Sequence, residues 1–377
     1  MTISFIRYPK EEGRQMNREL TDKVLASVMD WGPIEVAENI RGLEHIAELK
    51  YDQYQQYEVG SRFVENLAIW LNQFEDISER KIAFEFVKNH LVFVSQEEMY
   101  HLVNSIYPDL MRPMFKSYLG EVFVNNNISD PEIKKQILNA YFRQTLILGL
   151  SDGARLDVFR RGAPKLSNEQ ICISYEITEN RMENILDEMN QETKAFYEKY
   201  SFEEMEQGQI YNVFLLDDFS GSGISYLRKE KKESGIEEWK GKIKKVLEQL
   251  KTHVRNLEKL TIHVVIYLAT EKAEEHIKKY VQLYAKEEHI NMEVHILQKI
   301  HPCVPNEDMA KIMDKYHNPK IEDSHYKKGK HDFPYLGFDE CSLPLVIYHN
   351  TPNNSFPIIW GLKDSLFPRI TRHKDVS

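Results

Sequence analysis

Apolar and polar positions change their spacing about one third of the way along the chain. From about Leu20 to Val124 the apolar residues recur at helical spacing. The clearest stripe runs at i, i+4, i+7, i+8 and i+11 and consists of Phe63, Leu67, Trp70, Leu71 and Phe74. Such spacing places apolar side chains on one face of a helix, which then packs against a core. The pattern predicts an all-α N-terminal domain.

Two local signals add detail to this helical region. Ser95 followed by Glu98 resembles a capping box and predicts a helix that begins at Gln96. The turn-forming residues 125–131 end in Pro131, which suits the first position of a further helix. We therefore predict a helical domain over residues 1–127 and a second domain over residues 128–377 that includes a C-terminal extension.

Beyond residue 128 the pattern alternates between short apolar runs and helical stretches. The predicted strands are Thr145 to Leu150, Gln170 to Glu176, Asn212 to Leu216, Leu260 to Leu268 and Met292 to Leu297. The predicted helices between and after them begin at Ala154, Thr178, Ile224, Glu271 and near Glu307. Strands that alternate with helices are typical of a parallel sheet covered by helices. The sequence therefore predicts an α/β fold with a parallel sheet flanked by helices, preceded by the all-α domain.

Composition narrows the class of protein. The chain has 377 residues, of which 42% are hydrophobic and 29% charged, as in ordinary globular proteins. Its apolar runs are shorter than the roughly 20 residues that span a bilayer, and the polar stretch Met1 to Arg18 does not resemble a secretory signal. The three cysteines are far apart and form no CxxC pair: Cys172, Cys303 and Cys341. We expect a cytoplasmic protein without a membrane partner.

The net charge of −10 also bears on partners. Binding to nucleic acid depends on clustered Lys and Arg that neutralise phosphates. An acidic chain therefore favours a small ligand or a protein partner over direct nucleic-acid binding.

The segment from Val213 to Ser225 carries the clearest chemistry. It reads Val-Phe-Leu-Leu-Asp-Asp-Phe-Ser-Gly-Ser-Gly-Ile-Ser. Four consecutive apolar residues predict a strand buried on both faces, so Asp217 and Asp218 lie at its carboxyl end, where open α/β sheets bind ligands. Gly221 and Gly223 allow backbone N–H groups to turn around an anion. The hydroxyl donors are Ser220, Ser222 and Ser225. The alternative interpretation is an acidic turn that closes the strand and caps a helix.

This segment resembles the phosphoribosyl pyrophosphate (PRPP) loop of type I phosphoribosyltransferases. The likeness lies in Asp217-Asp218, three residues, and then Ser222-Gly223-Ile224-Ser225, with serines where threonines are commoner. The chain resembles more closely the PRTase-CE branch, which contains phosphoribosyltransferase-like proteins attributed to bacterial conflict systems. Two further segments carry this closer match, Gly149 to Arg155 and His349 to Asn354 with Trp360 after it. The resemblance covers about the last two thirds of the chain.

The resemblance implies roles for the loop residues. The acids Asp217 and Asp218 would hold the ribose hydroxyls and act in catalysis. The 5′-phosphate would lie in the loop of Ser220, Gly221, Ser222, Gly223, Ile224 and Ser225. Mg²⁺ prefers oxygen ligands and keeps several waters, so it would be held mainly by the pyrophosphate of the ligand, and we predict no protein metal ligand.

The second segment occupies the position of the family's pyrophosphate loop. It consists of Ser151, Asp152, Gly153, Ala154 and Arg155, directly after the strand that begins at Thr145. The resemblance implies that backbone N–H groups and the Arg155 side chain contact the leaving group. Asp152 departs from this pattern because its carboxylate would lie beside pyrophosphate. Alternatively, Asp152-Gly153 is an ordinary turn and Arg155 an exposed helix residue.

The third segment follows a predicted strand, Leu343 to Tyr348. By resemblance, His349, Asn353 and Asn354 could contact a base or ribose, with His349 titrating near neutral pH. Alternatively, this is a proline-containing turn whose asparagines satisfy backbone groups.

Two hypotheses about function follow. The first is a phosphoribosyltransferase-type enzyme, or a hydrolase of PRPP or nucleotides, that acts with Mg²⁺ in bacterial anti-phage defence. The second is a catalytically inactive nucleotide-sensing or scaffold subunit of a defence complex. In either case we expect PRPP or a nucleotide as ligand and an ATPase or reverse transcriptase as a candidate protein partner.

Overall fold

The structure is a computed structural model that describes residues 12–174, 178–231, 235, 237–322, 326, 329–330 and 332–370. The chain divides into two compact units. The first, which we name the split unit, comprises Met1–Gln96 and Pro302–Ser377, and the second, the sheet unit, comprises Glu97–His301. These units are a different division from the predicted domains, and the predicted boundary after residue 127 stays a prediction.

The elements of the described residues are numbered in chain order. The helices are α1 Glu12–Met29, α2 Pro33–Leu49, α3 Phe63–Leu71, α4 Ile77–His90, α5 Gln96–Ser105, α6 Arg112–Asn125, α7 Pro131–Arg143, α8 Leu156–Gly162, α9 Glu179–Lys199, α10 Lys242–Lys251, α11 Glu271–Glu288, α12 Glu307–Lys315 and α13 Pro357–Trp360. The strands are β1 Val92–Val94, β2 Thr145–Gly149, β3 Ile171–Ile173, β4 Asn212–Ser220, β5 Arg228–Lys231, β6 Glu237–Lys240, β7 Thr261–Thr270, β8 Asn291–Ile300 and β9 Leu345–Ile347. None of these helices is long and apolar enough to cross a bilayer.

The split unit is built around α3 and a small sheet. All five residues of the predicted apolar stripe, from Phe63 to Phe74, are fully buried. The indole nitrogen of Trp70 donates to the carbonyl of Ile358 at 2.8 Å, which ties α3 to α13. Strand β1 pairs in parallel with β9, although these strands lie about 250 residues apart in the chain. The predicted strand Leu343 to Tyr348 therefore exists, but it belongs to this small sheet.

The sheet unit confirms the predicted α/β architecture. Five strands form one parallel sheet in the order β3-β2-β4-β7-β8. Helices α9, α10 and α11 pack on one face through residues such as Ile185, Leu247 and Ile277. The other face meets α6, where the ring of Phe115 lies 6.1 Å from that of Phe214. Because both faces are covered, β4 is buried almost throughout, as its apolar run predicts.

The strand order defines where a ligand can enter the sheet. The chain runs from β2 outward to β3 and then returns to β4 on the other side of β2. The connections therefore leave in opposite directions at the boundary between β2 and β4. Open α/β sheets bind ligands outside the carboxyl ends of the strands at such a switch point.

Most element predictions are confirmed, with small shifts at the ends. Helix α5 begins at Gln96 as predicted, and α7 begins at Pro131, where the Asp130 carboxylate accepts from the N–H of Glu132 at 2.8 Å. The helix predicted from Ala154 begins at Leu156, after a single 3-10 turn over Asp152–Ala154. Of the strand predicted over residues 170–176, positions 175 and 176 lie outside the described residues.

The helix predicted from Ile224 is wrong. After β4 the chain makes a series of turns, forms the antiparallel hairpin of β5 and β6, and starts α10 only at Lys242. Tyr226 and Leu227 are used as buried core residues instead of as the apolar face of a helix. Gly241 then brings the chain back with φ +135, and a Cβ there would lie 2.3 Å from the carbonyl oxygen of Tyr226. Long-range packing has overridden the local apolar signal.

Candidate functional site

Two of the three predicted site segments meet at the switch point of the sheet. The loop 151–155 follows β2, and the acids Asp217 and Asp218 lie near the end of the adjacent strand β4. The hydroxyl of Ser151 donates to Oδ1 of Asp217. Gly153 lies so close to Asp218 that an added Cβ would be 2.2 Å from Oδ2. The structure therefore brings the predicted pyrophosphate loop and the predicted ribose acids into direct contact.

The carboxylate of Asp217 is buried and hydrogen-bonded to other side chains of the protein. Its side chain is 1% exposed, and its Oδ2 accepts from the hydroxyl of Tyr226 at 2.8 Å and from Nζ of Lys242 at 2.5 Å. Burial raises the pKa of Asp217, the Lys242 ammonium opposes that rise, and the neighbouring Asp218 adds to it. A buried carboxylate is costly unless it is paired and hydrogen-bonded. With Ser151, Tyr226 and Lys242 as donors, Asp217 has such partners.

Asp218 is in a different environment from Asp217. Consecutive side chains of a strand point to opposite faces, and Asp218 is only half-buried. It lies against Gly153, on the face that also carries Tyr267 of β7, whose pKa is raised first by burial and then by the charges of Asp217 and Asp218. The hydroxyl of Tyr267 donates to the carbonyl of Ala154 at 2.5 Å and holds the 151–155 loop in place.

The glycine-serine loop is partly closed on itself. Gly223 has φ +78, and its N–H donates to Oγ of Ser220 at 3.1 Å. The carbonyl of Gly221 accepts from the hydroxyl of Thr270 at 2.6 Å. Ser222 is buried, Ile224 is half-buried and Ser225 is exposed. Of the two glycines for which the sequence indicates unusual backbone angles, Gly223 has a positive φ and Gly221 does not. Which residues of the loop contact phosphate stays a prediction.

Arg155 directly precedes α8 and has the left-handed angles φ 49 and ψ 49. Its guanidinium donates to the hydroxyl of Tyr100 at 2.9 Å, lies over that ring, and pairs with Asp157 at 3.2 Å. Asp152 is exposed at the tip of the loop. The predicted contact of Arg155 with a leaving group stays a prediction.

The third predicted segment lies in the split unit. Nδ2 of Asn354 donates to the carbonyl of Phe338 at 3.1 Å and to Sγ of Cys341 at 3.2 Å, and the backbone carbonyl of Asn353 accepts from the N–H of Phe338 at 2.8 Å. These contacts agree with the alternative interpretation, a turn whose asparagines satisfy nearby groups. The roles of His349, Asn353 and Asn354 in binding a base or ribose stay predictions.

Sequence reasoning missed Lys242 and Tyr226, the two side chains that neutralise and hydrogen-bond Asp217. Lys242 is 25 residues from Asp217 in the chain and is the first residue of α10. Its position after Gly241 is typical of any helix start, so local pattern does not single it out.

Fold and site together define a phosphoribosyltransferase-like protein: a parallel α/β sheet whose switch point carries paired acids, a glycine-serine loop and a second loop from the adjacent strand. The profile of the PRTase-CE family matches residues 67–369, and the chain belongs to that family. No curated protein and no solved structure matches the chain.

Proposed function

We propose that this protein binds PRPP, or a related ribose phosphate or nucleotide, together with Mg²⁺ at the carboxyl ends of β2 and β4. One observation carries the proposal: the hydrogen bond from Ser151 to Asp217 joins the 151–155 loop to strand β4 at the switch point of the sheet. Family membership supports the ligand class.

The two acids would play unequal parts. Asp218 is half-buried and is the carboxylate that a ribose hydroxyl can approach first. Asp217 would orient Ser151, Tyr226 and Lys242 around the ligand, and Lys242 would supply positive charge close to the anionic groups. Because an ammonium already occupies Oδ2 of Asp217, Mg²⁺ would be held chiefly by the phosphate oxygens of the ligand, with Asp218 as the nearest protein oxygen donor. Mg²⁺ would screen the charge of the pyrophosphate.

The reaction we propose is transfer of phosphoribose. The anomeric C–O bond breaks, pyrophosphate leaves with the electron pair, and a nucleophile or water forms the new bond to the same carbon. Positive charge develops on the sugar in that step, and fixed carboxylates nearby stabilise it. In this proposal the protein transfers phosphoribose to an acceptor as part of a bacterial defence response. We expect the protein to act in the cytoplasm.

Calorimetric titration with PRPP and Mg²⁺ tests binding. We expect Asp218→Asn to weaken binding by about tenfold or more, because a hydrogen bond to a charged group contributes about 1.5–3 kcal/mol. Asp187→Asn is the matched control, since Asp187 is exposed on α9 in the same unit. No heat with the wild type, or equal binding by a variant that carries both Asp217→Asn and Asp218→Asn, contradicts the proposal.

One observation favours the second hypothesis, a nucleotide-sensing or scaffold subunit without catalysis. The carboxylate of Asp217 accepts three hydrogen bonds from the protein itself, as in a structural site. Such a subunit would act through a partner, for which an ATPase or a reverse transcriptase remains our candidate. Mass spectrometry of nucleotide pools after induction separates the hypotheses: depleted PRPP or a new ribosylated product supports the enzyme, and unchanged pools with a stably co-purified protein support the scaffold.

A further inference from the structure

A second polar cluster lies near the amino ends of β7 and β8, about 10 Å along the sheet from Asp217. It contains His263 of β7 and Glu293 and His295 of β8. His263 pairs with Glu293 in the strand register, and Glu293 and His295 are two positions apart, so all three side chains share one face of the sheet. The fold therefore brings together two imidazoles and a carboxylate that are about 30 residues apart in sequence.

The three facing atoms form a small and nearly equilateral triangle. Nδ1 of His263 lies 3.3 Å from Oε2 of Glu293, Nε2 of His295 lies 3.4 Å from the same oxygen, and the two nitrogens are 3.4 Å apart. A tetrahedral zinc ion has bonds of about 2.0–2.2 Å, so its ligand atoms are about 3.3–3.6 Å from one another. The triangle has the size of one face of that tetrahedron.

The contact of His263 with Asn212, on the side of the ring away from the cluster, orients Nδ1 toward Glu293 and His295. Nε2 of His263 lies 3.2 Å from Oδ1 of Asn212, and in the tautomer that donates to this oxygen Nδ1 presents a lone pair to the cluster. The ring is held by stacking on Phe214 at 4.4 Å. Histidines that bind metals usually donate their other N–H to such an acceptor.

In the tautomer of His263 that donates to Asn212, hydrogen bonding alone does not account for all three contacts. A proton on Nε2 of His295 can be shared with His263 or Glu293. It leaves the 3.3 Å contact between Nδ1 of His263 and the carboxylate oxygen as a contact between two acceptors. A single cation bound to the three atoms satisfies every contact.

We propose that Nδ1 of His263, Oε2 of Glu293 and Nε2 of His295 bind a divalent first-row transition metal, with Zn²⁺ as the best fit. Two nitrogen ligands disfavour Mg²⁺ and Ca²⁺, which take oxygen ligands. The Glu293 side chain is 53% exposed and that of His295 21%, so the fourth position of the tetrahedron faces solvent and takes a water. This site is separate from the PRPP site and does not depend on the proposed function.

The test uses the full chain and zinc alone. Protein stripped with EDTA is titrated with ZnCl₂ against a chromogenic chelator, and bound zinc is counted by mass spectrometry. We expect one zinc per chain in the wild type and at least a tenfold loss of affinity in His295→Ala and in Glu293→Gln. The matched control is His301→Ala, because His301 is exposed and outside the cluster.

Two further measurements guard against misfolding and nonspecific binding. Both altered side chains are partly exposed, so far-UV circular dichroism of the stripped variants should match the wild type. Replacement by Co²⁺ should give the intense visible absorption of a tetrahedral site. No binding at micromolar zinc, unchanged affinity in either cluster variant, or an equal loss in His301→Ala overturns the proposal.

Discussion

The two ends of the parallel sheet handle charge in different ways. At the carboxyl end, the buried carboxylate of Asp217 has an ammonium partner from the chain itself, Lys242, at 2.5 Å. At the amino end, the carboxylate of Glu293 faces two imidazole nitrogens, one from His263 and one from His295. The charge at the carboxyl end is neutralised by a side chain of the protein, whereas the amino end has three metal-ligand atoms that can bind a cation from solution.

This difference suggests how each end meets its ligand. A ribose phosphate at the carboxyl end has to displace the hydrogen bonds that already exist around Asp217 or bind beside them. A cation at the amino end finds its ligands assembled, so little reorganisation is needed on binding. The same sheet thus offers one site that depends on rearranging contacts and one that is pre-formed.

The largest effect should come from removing the internal cation. In Lys242→Met the carboxylate of Asp217 stays buried without its charge partner, which costs about 3–5 kcal/mol of the free energy of unfolding at pH 7. Urea denaturation measures it. Lys245→Met, elsewhere on α10, serves as the control. A loss below about 1 kcal/mol would show that Asp217 either takes up a proton or keeps its charge on Ser151 and Tyr226 alone, and it would contradict the contrast between the ends.

Zinc should produce the next largest effect, at the opposite end of the sheet. Zinc at about 100 times its Kd should stabilise the wild type by about 2.7 kcal/mol and His295→Ala, whose affinity is at least tenfold weaker, by no more than about 1.4 kcal/mol. Urea denaturation with and without zinc measures this shift. Because the two ends are separate, the increment should persist in Lys242→Met. Strong non-additivity would mean that the ends of the sheet are coupled.

Gly223→Ala tests the backbone of the glycine-serine loop. An alanine at φ +78 costs about 1–2 kcal/mol, and its Cβ would lie 3.0 Å from the carbonyl oxygen of Ala273. We expect lower stability in urea and weaker PRPP binding by calorimetry. Gly120→Ala is the control, because Gly120 lies in α6 with open space around its Cβ position, and alanine there favours the helix. Equal results for the two variants would show that the loop tolerates a side chain.

The smallest expected effect is a pH dependence at the carboxyl end. Because burial raises the pKa of Asp217, the folded protein holds that proton to a higher pH than the unfolded chain. Its contribution to stability therefore falls as pH rises from 3.8 toward the folded pKa, by at most about 1.4 kcal/mol per pH unit. Asp217→Asn lacks this contribution, so its stability minus that of the wild type should increase across the window in urea titrations. A constant difference would contradict the raised pKa.

The sheet could be predicted from the sequence because its strands are buried on both faces. Residues such as Val213 to Leu216 form unbroken apolar runs, and the runs alternate with helical stretches, so each local pattern agrees with the final fold. The pattern also places the 151–155 loop and Asp217 at the same edge, since parallel strands have their carboxyl ends along one edge. The direct contact between Ser151 and Asp217 depends on the pairing of β2 with β4, which the pattern does not predict.

Other features were out of reach because they depend on distant contacts. The apolar residues after Ile224 predict a helix, yet Tyr226 and Leu227 pack into a core whose other members come from the strands of the sheet and from helices such as α9, α10 and α11. The ion pair of Lys242 and the cluster around His263 join residues from separate elements, and neither has a local signature. Strand alternation could have indicated that Glu293 and His295 share a face, but the register with β7 was needed to add His263.

The base of the β5–β6 hairpin is fastened by two backbone hydrogen bonds, from the N–H of Lys242 to the carbonyl of Ser225 and from that of Ile243 to Tyr226, each 3.1 Å. The two ends of the segment that contains the hairpin are therefore hydrogen-bonded to each other. Doubling the length of such a closed loop costs only about 0.6 kcal/mol in closure entropy. A longer connection between β5 and β6, whether evolved or made by inserting a fluorescent reporter, should therefore leave Tyr226 and Lys242 in position to bind Asp217.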